Sequence, residues 1–119
     1  MPFGLQDWAN IAAIVSAMCD VIATGSDTFQ AFYERRRTAP DIMQRAATLE
    51  QAMSTYGDEE LEAISQRLQA CRDRFIAEGS GAQRKRCLCS VLGDVKDGNG
   101  GTIPFDDWKK TYETLGCGS

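Results

Sequence analysis

Five cysteines, Cys19, Cys71, Cys87, Cys89 and Cys117, are the most reactive side chains in this sequence, and what is missing beside them limits their chemistry. There is no histidine. That removes the commonest general base, the imidazole metal ligand and every Ser–His or Cys–His nucleophile pair. Catalysis would have to run on carboxylates, lysine, tyrosine or a thiol, so the expectation is a protein that is not an enzyme, with no cofactor and no evident small-molecule substrate. On a helix, the side chains of Cys87 and Cys89 point about 200° apart and cannot easily serve one metal. A four-cysteine zinc site would need Cys71 and Cys117 to join them, at a spacing that is not that of a ribbon or knuckle. Cys19 and Cys71 fall on apolar helical stripes and read as small buried hydrophobes. Cys89 and Cys117 are the candidate disulfide, because the last two helices are expected to fold back on each other with Cys117 just beyond the second.

The oxygen-bearing residues that could hold a cation are Asp94, Asp97, Asn99 and Asp107, in the segment Gly93 to Asp107. This stretch resembles a degenerate calcium loop of the EF-hand or dockerin type, which needs oxygen ligands at positions 1, 3, 5 and 12, glycine at 6 and an apolar residue at 8. Taking Gly101-Thr102-Ile103 as positions 6 to 8 puts Asp107 at 12, but Lys96, Gly98 and Gly100 then fall where side-chain oxygens belong. Taking Asp97 and Asn99 as ligands instead puts Thr102 at 6 and Pro104 at 8. The plain alternative is a turn at Gly98-Asn99-Gly100-Gly101, with Thr102 capping the helix that follows.

The elements that would position these residues are helical. The 119 residues make one domain. Leu, Ile, Val and Phe supply only 23 of them, so 14 alanines must help to build a thin, closely packed core. Trp8, Ile11, Val15, Met18 and Ile22 recur at helical spacing over Gln6–Thr24, with Ile14 and Val21 widening the stripe, which predicts a central helix touching several neighbours. Its Asp7, Asn10, Ser16 and Asp20 make it a poor membrane span, and with no Lys or Arg on its polar face it is a poor interfacial helix. A second helix is expected over Thr28–Arg37. Thr38 then caps a third, with Pro40 in its first turn, that runs to Tyr56. Leu61, Ile64, Leu68, Cys71 and Phe75 mark a fourth, opened by Asp58-Glu59-Glu60. The third and fourth are expected to form a central antiparallel hairpin over residues 40–78. Further helices follow over Ala82–Val95, after a break at Gly79-Ser80-Gly81, and over Pro104–Leu115. The predicted fold is a compact all-α antiparallel bundle of five to six helices.

If those helices alternate up and down, one pole collects Arg35, Arg36, Arg37, Arg72, Arg74, Arg84, Lys85 and Arg86, eight of the 13 basic residues. The other collects Asp27, Asp58, Glu59, Glu60, Glu62, Asp94, Asp97, Asp106 and Asp107. Most of this matches helix macrodipoles, but Arg84-Lys85-Arg86 opposes its own, which points to an anionic partner. The expected function is a small non-catalytic helical interaction module, an adaptor, inhibitor or self-assembling domain. Its basic pole would meet an acidic protein surface or another copy of the chain. Anionic lipid and nucleic acid fit less well, with a net charge of −4 and few aromatics beside the arginines. The alternative is a calcium- or thiol-responsive regulator centred on the helix-loop-helix at 82–117. Met1-Pro2-Phe3-Gly4 lacks the basic start of a secretory signal, which leads to an expectation of reduced thiols in the cytoplasm.

Overall fold

A computed structural model describes residues 3–77 and 81–118. The described residues form six α-helices and no strand: α1 (Leu5–Thr24), α2 (Phe29–Arg37), α3 (Ile42–Ala52), α4 (Asp58–Ile76), α5 (Gly81–Gly98) and α6 (Asp106–Thr114). The expected all-α bundle is therefore what the chain builds. The expected break at Gly79-Ser80 and the hairpin's end at residue 78 lie outside the described residues.

α1 is the hub. Asp7 Oδ2 accepts the Gly4 N–H at 2.8 Å and so satisfies a donor at the helix start. Gly25, in the left-handed region at φ 68°, ends the helix by donating to Val21. Between these caps, Trp8, Ile14, Val15 and Met18 are buried together with Ala9, Ala12, Ala13 and Ala17. The small side chains let neighbours approach closely, and α1 packs against α2, α3, α4 and α6. By length and composition α1 could cross a membrane, but here it is the core helix, covered by the rest of the chain.

The central hairpin of the third and fourth helices is not how the chain packs. α3 lies on α1, with Ala46, Leu49 and Ala52 buried, and α4 pairs with α5; α3 and α4 share little contact. The reason lies at the end of α3. The helix stops at Ala52 rather than Tyr56, and a turn through Met53–Tyr56 sends the Tyr56 ring toward α5, where its hydroxyl donates to the Asp94 carbonyl at 2.7 Å. α5 continues to Gly98, beyond the expected end at Val95, and approaches so closely that a Cβ on Gly98 would lie 2.6 Å from Tyr56 Cε2.

α4 and α5 run antiparallel, as the ladder Arg67–Asp94, Cys71–Cys87 and Arg74–Arg84 shows by climbing one helix while descending the other. Two further starts differ from expectation. Thr38 closes α2 by donating to the Glu34 carbonyl at 2.8 Å, so α3 begins later, at Ile42. Thr102 and Pro104 lie in a non-helical approach to α6, which begins at Asp106. The whole measures 34 × 33 × 24 Å, a thick disc rather than a rod.

Candidate interaction site

The charged residues divide into two clusters. The first ties α1, α2, α3 and α6 together. Arg36 grips Asp20 with two bonds, Nε to Oδ2 and Nη2 to Oδ1, each 2.8 Å, and reaches Asp107 Oδ2 at 3.1 Å. Arg45 Nη1 meets both oxygens of Asp107 at 3.1 Å and Ser16 Oγ at 3.3 Å, while its Nε reaches Asp41 at 3.1 Å. Ser16, buried on α1, also accepts the Trp108 Nε1–H at 2.9 Å. The bidentate hydrogen bonding to Asp20, more than any other cause, holds the Arg36 guanidinium well above its ordinary pKa. Beside this network Cys19 is buried, and burial pushes its thiol up to about 12.

The second cluster lies where α4 ends and α5 begins. Arg84 is not a free cation of the α5 first turn. Its Nη2 and Nε donate to the Phe75 and Arg74 carbonyls at 3.3 Å, its guanidinium lies 5.3 Å over the Phe75 ring, and Nη1 pairs with Asp27. The arginine that opposes the dipole of α5 thus caps the carbonyl end of α4, which offsets the cost. The side chains of Arg74, Lys85 and Arg86 are exposed and have no hydrogen-bond or ion-pair partner among the described residues. Arg72 lines a groove between α1, α2 and α4, together with Ile14, Phe29, Gln30, Tyr33 and Ile76.

This arrangement corrects the two-pole layout. Arg36 bonds Asp107 and Arg84 bonds Asp27, so residues assigned to opposite poles are in direct contact. α2 is the cause: it enters beside Arg84 and ends beside Asp20, so the start of α2, not its end, meets the basic corner. Of the eight expected partner-binding residues, Arg36 and Arg84 are engaged in holding helices together, and Arg37 pairs with Glu34 at 2.9 Å. Arg35 packs over Phe32 in the last turns of α2, about 9 Å from the helix start by helical rise. Arg72 and Arg74 remain near the end of α4, and Lys85 and Arg86 near the start of α5.

The candidate cation ligands do not converge. Asp94 and Asp97 stand on α5 because the helix runs on to Gly98, and Asp94 pairs with Arg67 at 2.9 Å. The Asn99 side chain donates to the Thr102 carbonyl at 2.9 Å, and Asp107 is saturated by Arg36 and Arg45. Among the described residues no group of three or more Cys, Asp or Glu could hold a metal ion.

Cys89 and Cys117 are joined by a disulfide that fastens the chain after α6 to α5. Cys71, expected to be a buried thiol, is instead bonded to Cys87, so α5 is stapled on one side to α4 and on the other to the C-terminal segment. The 200° divergence of Cys87 and Cys89, which argues against a shared metal, is what lets one helix serve two bridges.

The network residues Ser16, Asp20 and Arg45 carry no motif. Ser16 and Asp20 stand out only as polar residues four apart within the apolar stretch of α1 from Ile11 to Ile22, and Arg45 has no signal. An apolar void beside Trp8, of about 10 Å³, is the size of a single water at most and admits no larger ligand. Comparison of the chain with family models, curated proteins and solved structures gave no match. What the site does must therefore be read from its own geometry.

Proposed function

We propose that the chain is a non-catalytic helical interaction module that recognises an acidic protein surface through the corner formed by the end of α4 and the start of α5. The observation that carries this reading is the contrast in satisfaction. Arg74, Lys85 and Arg86 stand exposed with no counter-charge among the described residues, while Arg36, Arg37, Arg45, Arg67 and Arg84 are each ion-paired. Uncompensated cations gathered on one corner attract an anionic partner and speed its association.

A second copy of the chain can also serve as the partner. Asp58, Glu59, Glu60 and Glu62 are exposed at the start of α4, about 18 to 24 Å from Arg74 by helical rise. Contact between unlike ends of α4 is heterologous and would build rings or open chains. Fluorescence anisotropy with a labelled glutamate-rich peptide, and light scattering of the protein alone, both across a salt series, test the reading. Binding that weakens with salt and is lost in the Arg74→Glu, Lys85→Glu, Arg86→Glu triple variant supports it. Equal binding by the triple variant overturns it.

The bridges favour a second reading, thiol-responsiveness, because both grip α5, the helix that carries Lys85 and Arg86. They also favour work in an oxidising compartment over the cytoplasm. The check is a thiol count under denaturing conditions, with one free thiol expected before reduction and five after.

A further inference from the structure

The two bridges on α5 are set in different surroundings. Cys71–Cys87 lies within a packed helix pair, with Cys71 buried on α4 in the stripe of Leu68 and Phe75. On either side of it the same two helices are joined again, by Arg67 and Asp94 at 2.9 Å and by the Arg84 bonds to the Arg74 and Phe75 carbonyls. Cys89–Cys117 joins α5 to residues 115–118, and both of its cysteines are partly exposed. The backbone of that segment turns back into α6, the Leu115 N–H donating to the Thr111 carbonyl at 2.9 Å and the Cys117 N–H to the Tyr112 carbonyl at 3.1 Å. Apart from the bridge, α5 and α6 share little contact, the Lys96 ammonium 5.0 Å over the Tyr112 ring being part of it.

A broken disulfide stays broken only if its thiols can separate, because thiols held in contact close again. The packing of α4 on α5 keeps Cys71 beside Cys87 after the bond is cut. A segment tied to α5 mainly by its bridge moves away. The attack itself also differs. A reductant that reached Cys87 would expel Cys71 as a thiolate inside the core, where an unpaired charge is costly. Attack on Cys117 expels Cys89 instead. Lys85 and Arg86 precede Cys89 by four and three residues, on the same face of α5. Those two exposed cations stabilise the thiolate as it leaves.

We propose that Cys89–Cys117 is a redox latch, opened by a dithiol reductant while Cys71–Cys87 keeps α4 and α5 together. A thiolate of the reductant attacks Cys117 Sγ, the bond between the two protein sulfurs breaks, and Cys89 leaves with the electron pair. The reductant's second thiolate then attacks the mixed disulfide, joins its own two sulfurs and releases Cys117. The dithiol gives up two electrons and two protons, which the two cysteines receive. Residues 115–118 then move off α5 and uncover the partly buried Leu115 and Tyr112, while the Asp107 network stays closed. The inference rests on the thiol-responsive reading above and names the bridge that responds.

The test titrates the folded full chain with dithiothreitol, blocks freed thiols with iodoacetamide and locates them by peptide mass spectrometry. Cys89 and Cys117 should be labelled together, at a dithiothreitol concentration at least tenfold below that which frees Cys71 and Cys87. At that point hydrogen exchange should rise at residues 111–118 and stay unchanged where α4 meets α5. The double variant Cys89→Ser, Cys117→Ser should show the same exchange pattern with no reductant present. The double variant Lys85→Gln, Arg86→Gln should slow opening of Cys89–Cys117 severalfold and leave Cys71–Cys87 unaffected, and an unchanged rate would overturn the role given to those cations. If both bridges open together, if Cys71–Cys87 opens first, or if residues 111–118 keep their protection, the latch is overturned and thiol-responsiveness stands. If neither bridge opens until the chain unfolds, the latch and the thiol-responsive reading are overturned together.

Discussion

Two clusters of basic residues in this small fold are built to opposite specifications. Around Asp107, Arg36 and Arg45 each find acceptors for Nε and one terminal nitrogen, and the ties run between residues as far apart in sequence as Ser16 and Trp108. Where α4 ends and α5 begins, the side chains of Arg74, Lys85 and Arg86 stand exposed, without partners among the described residues. Before folding, Arg35-Arg36-Arg37 and Arg84-Lys85-Arg86 look alike. Folding gives Arg36 and Arg84 structural work, pairs Arg37 with its neighbour, and leaves Lys85 and Arg86 free. A charge run is therefore not a site in itself. Satisfaction of each donor in the folded state separates arginines that hold a structure together from arginines available to a partner.

The largest expected effect sharpens this contrast from the open side. Cys71–Cys87 closes a separation of 16 residues beneath the basic corner, and cross-linking a loop of that length stabilises by about 3 kcal/mol in the chain-entropy account. The double variant Cys71→Ala, Cys87→Ala should unfold at correspondingly lower denaturant. In hydrogen exchange it should lose protection first where α4 meets α5, with the Asp107 network last to open. Uniform loss of protection would show that the two clusters are not separate units.

Next comes Asp107→Ala. It leaves Arg36 and Arg45, whose side chains are 24% and 18% exposed, without their shared acceptor. The expected destabilisation is about 2 kcal/mol, against less than about 0.5 kcal/mol for Lys85→Ala with Arg86→Ala. Denaturant melts of the two variants compare the clusters directly, and equal losses would dissolve the distinction between them.

The parts of the molecule that could be read from the sequence are those set by local patterning. Trp8, Val15, Met18 and their spacing define α1 and its central place, and the alanines announce its close packing. The apolar stripe of α4 and the position of Cys117 after α6 are equally local, and from them come the helix and the candidate Cys89 bridge. What escaped depends on where helices lie in space. Periodicity gives α3 and α4 an apolar face each but does not say which neighbour will cover it. The turn at Met53–Tyr56, which sends α3 to α1 and α4 to α5, has no strong signal beyond Tyr56 itself. The same limit hid the charge layout. Assuming strict alternation placed Asp27 and Asp107 far from the arginines they bond, because the path of α2 across α1 is a tertiary fact. The sequence groups Arg72 with the other basic residues, but the groove beside it needs three helices to exist.

Gly98 calibrates the scale, because it touches neither arginine cluster. A methyl group there would meet Tyr56 Cε2 at 2.6 Å and the Ala52 carbonyl oxygen at 3.2 Å. Tyr56 cannot withdraw without losing its bond to Asp94, so Gly98→Ala should cost about 1 to 2 kcal/mol although alanine is the better helix former. Pairing it with Tyr56→Ala should recover most of the strain term, and additive losses in that double-mutant cycle would show that the close approach is not the cause.

The smallest effect belongs to Cys19, and it probes how closed the saturated cluster is. The thiol is raised from an ordinary 9.0 to about 12, chiefly by burial, then lowered somewhat by a hydrogen bond with Thr111. The Asp107 and Asp20 charges also raise it, and the Arg36 charge opposes them. Well below pH 9.0 the folded and unfolded thiols are both protonated and pH has no leverage. As pH rises toward and past that value the unfolded chain releases the proton while the folded one keeps it, so stability falls, by about 0.4 kcal/mol at pH 9.0 and more steeply above it. Cys19→Ala should flatten that part of the profile. In the native protein a thiol reagent at pH 8 should modify Cys19 only as fast as α1 is uncovered. Rapid modification would mean that the Asp107 side opens as readily as the corner it is contrasted with, and the division of labour between the two clusters would fail.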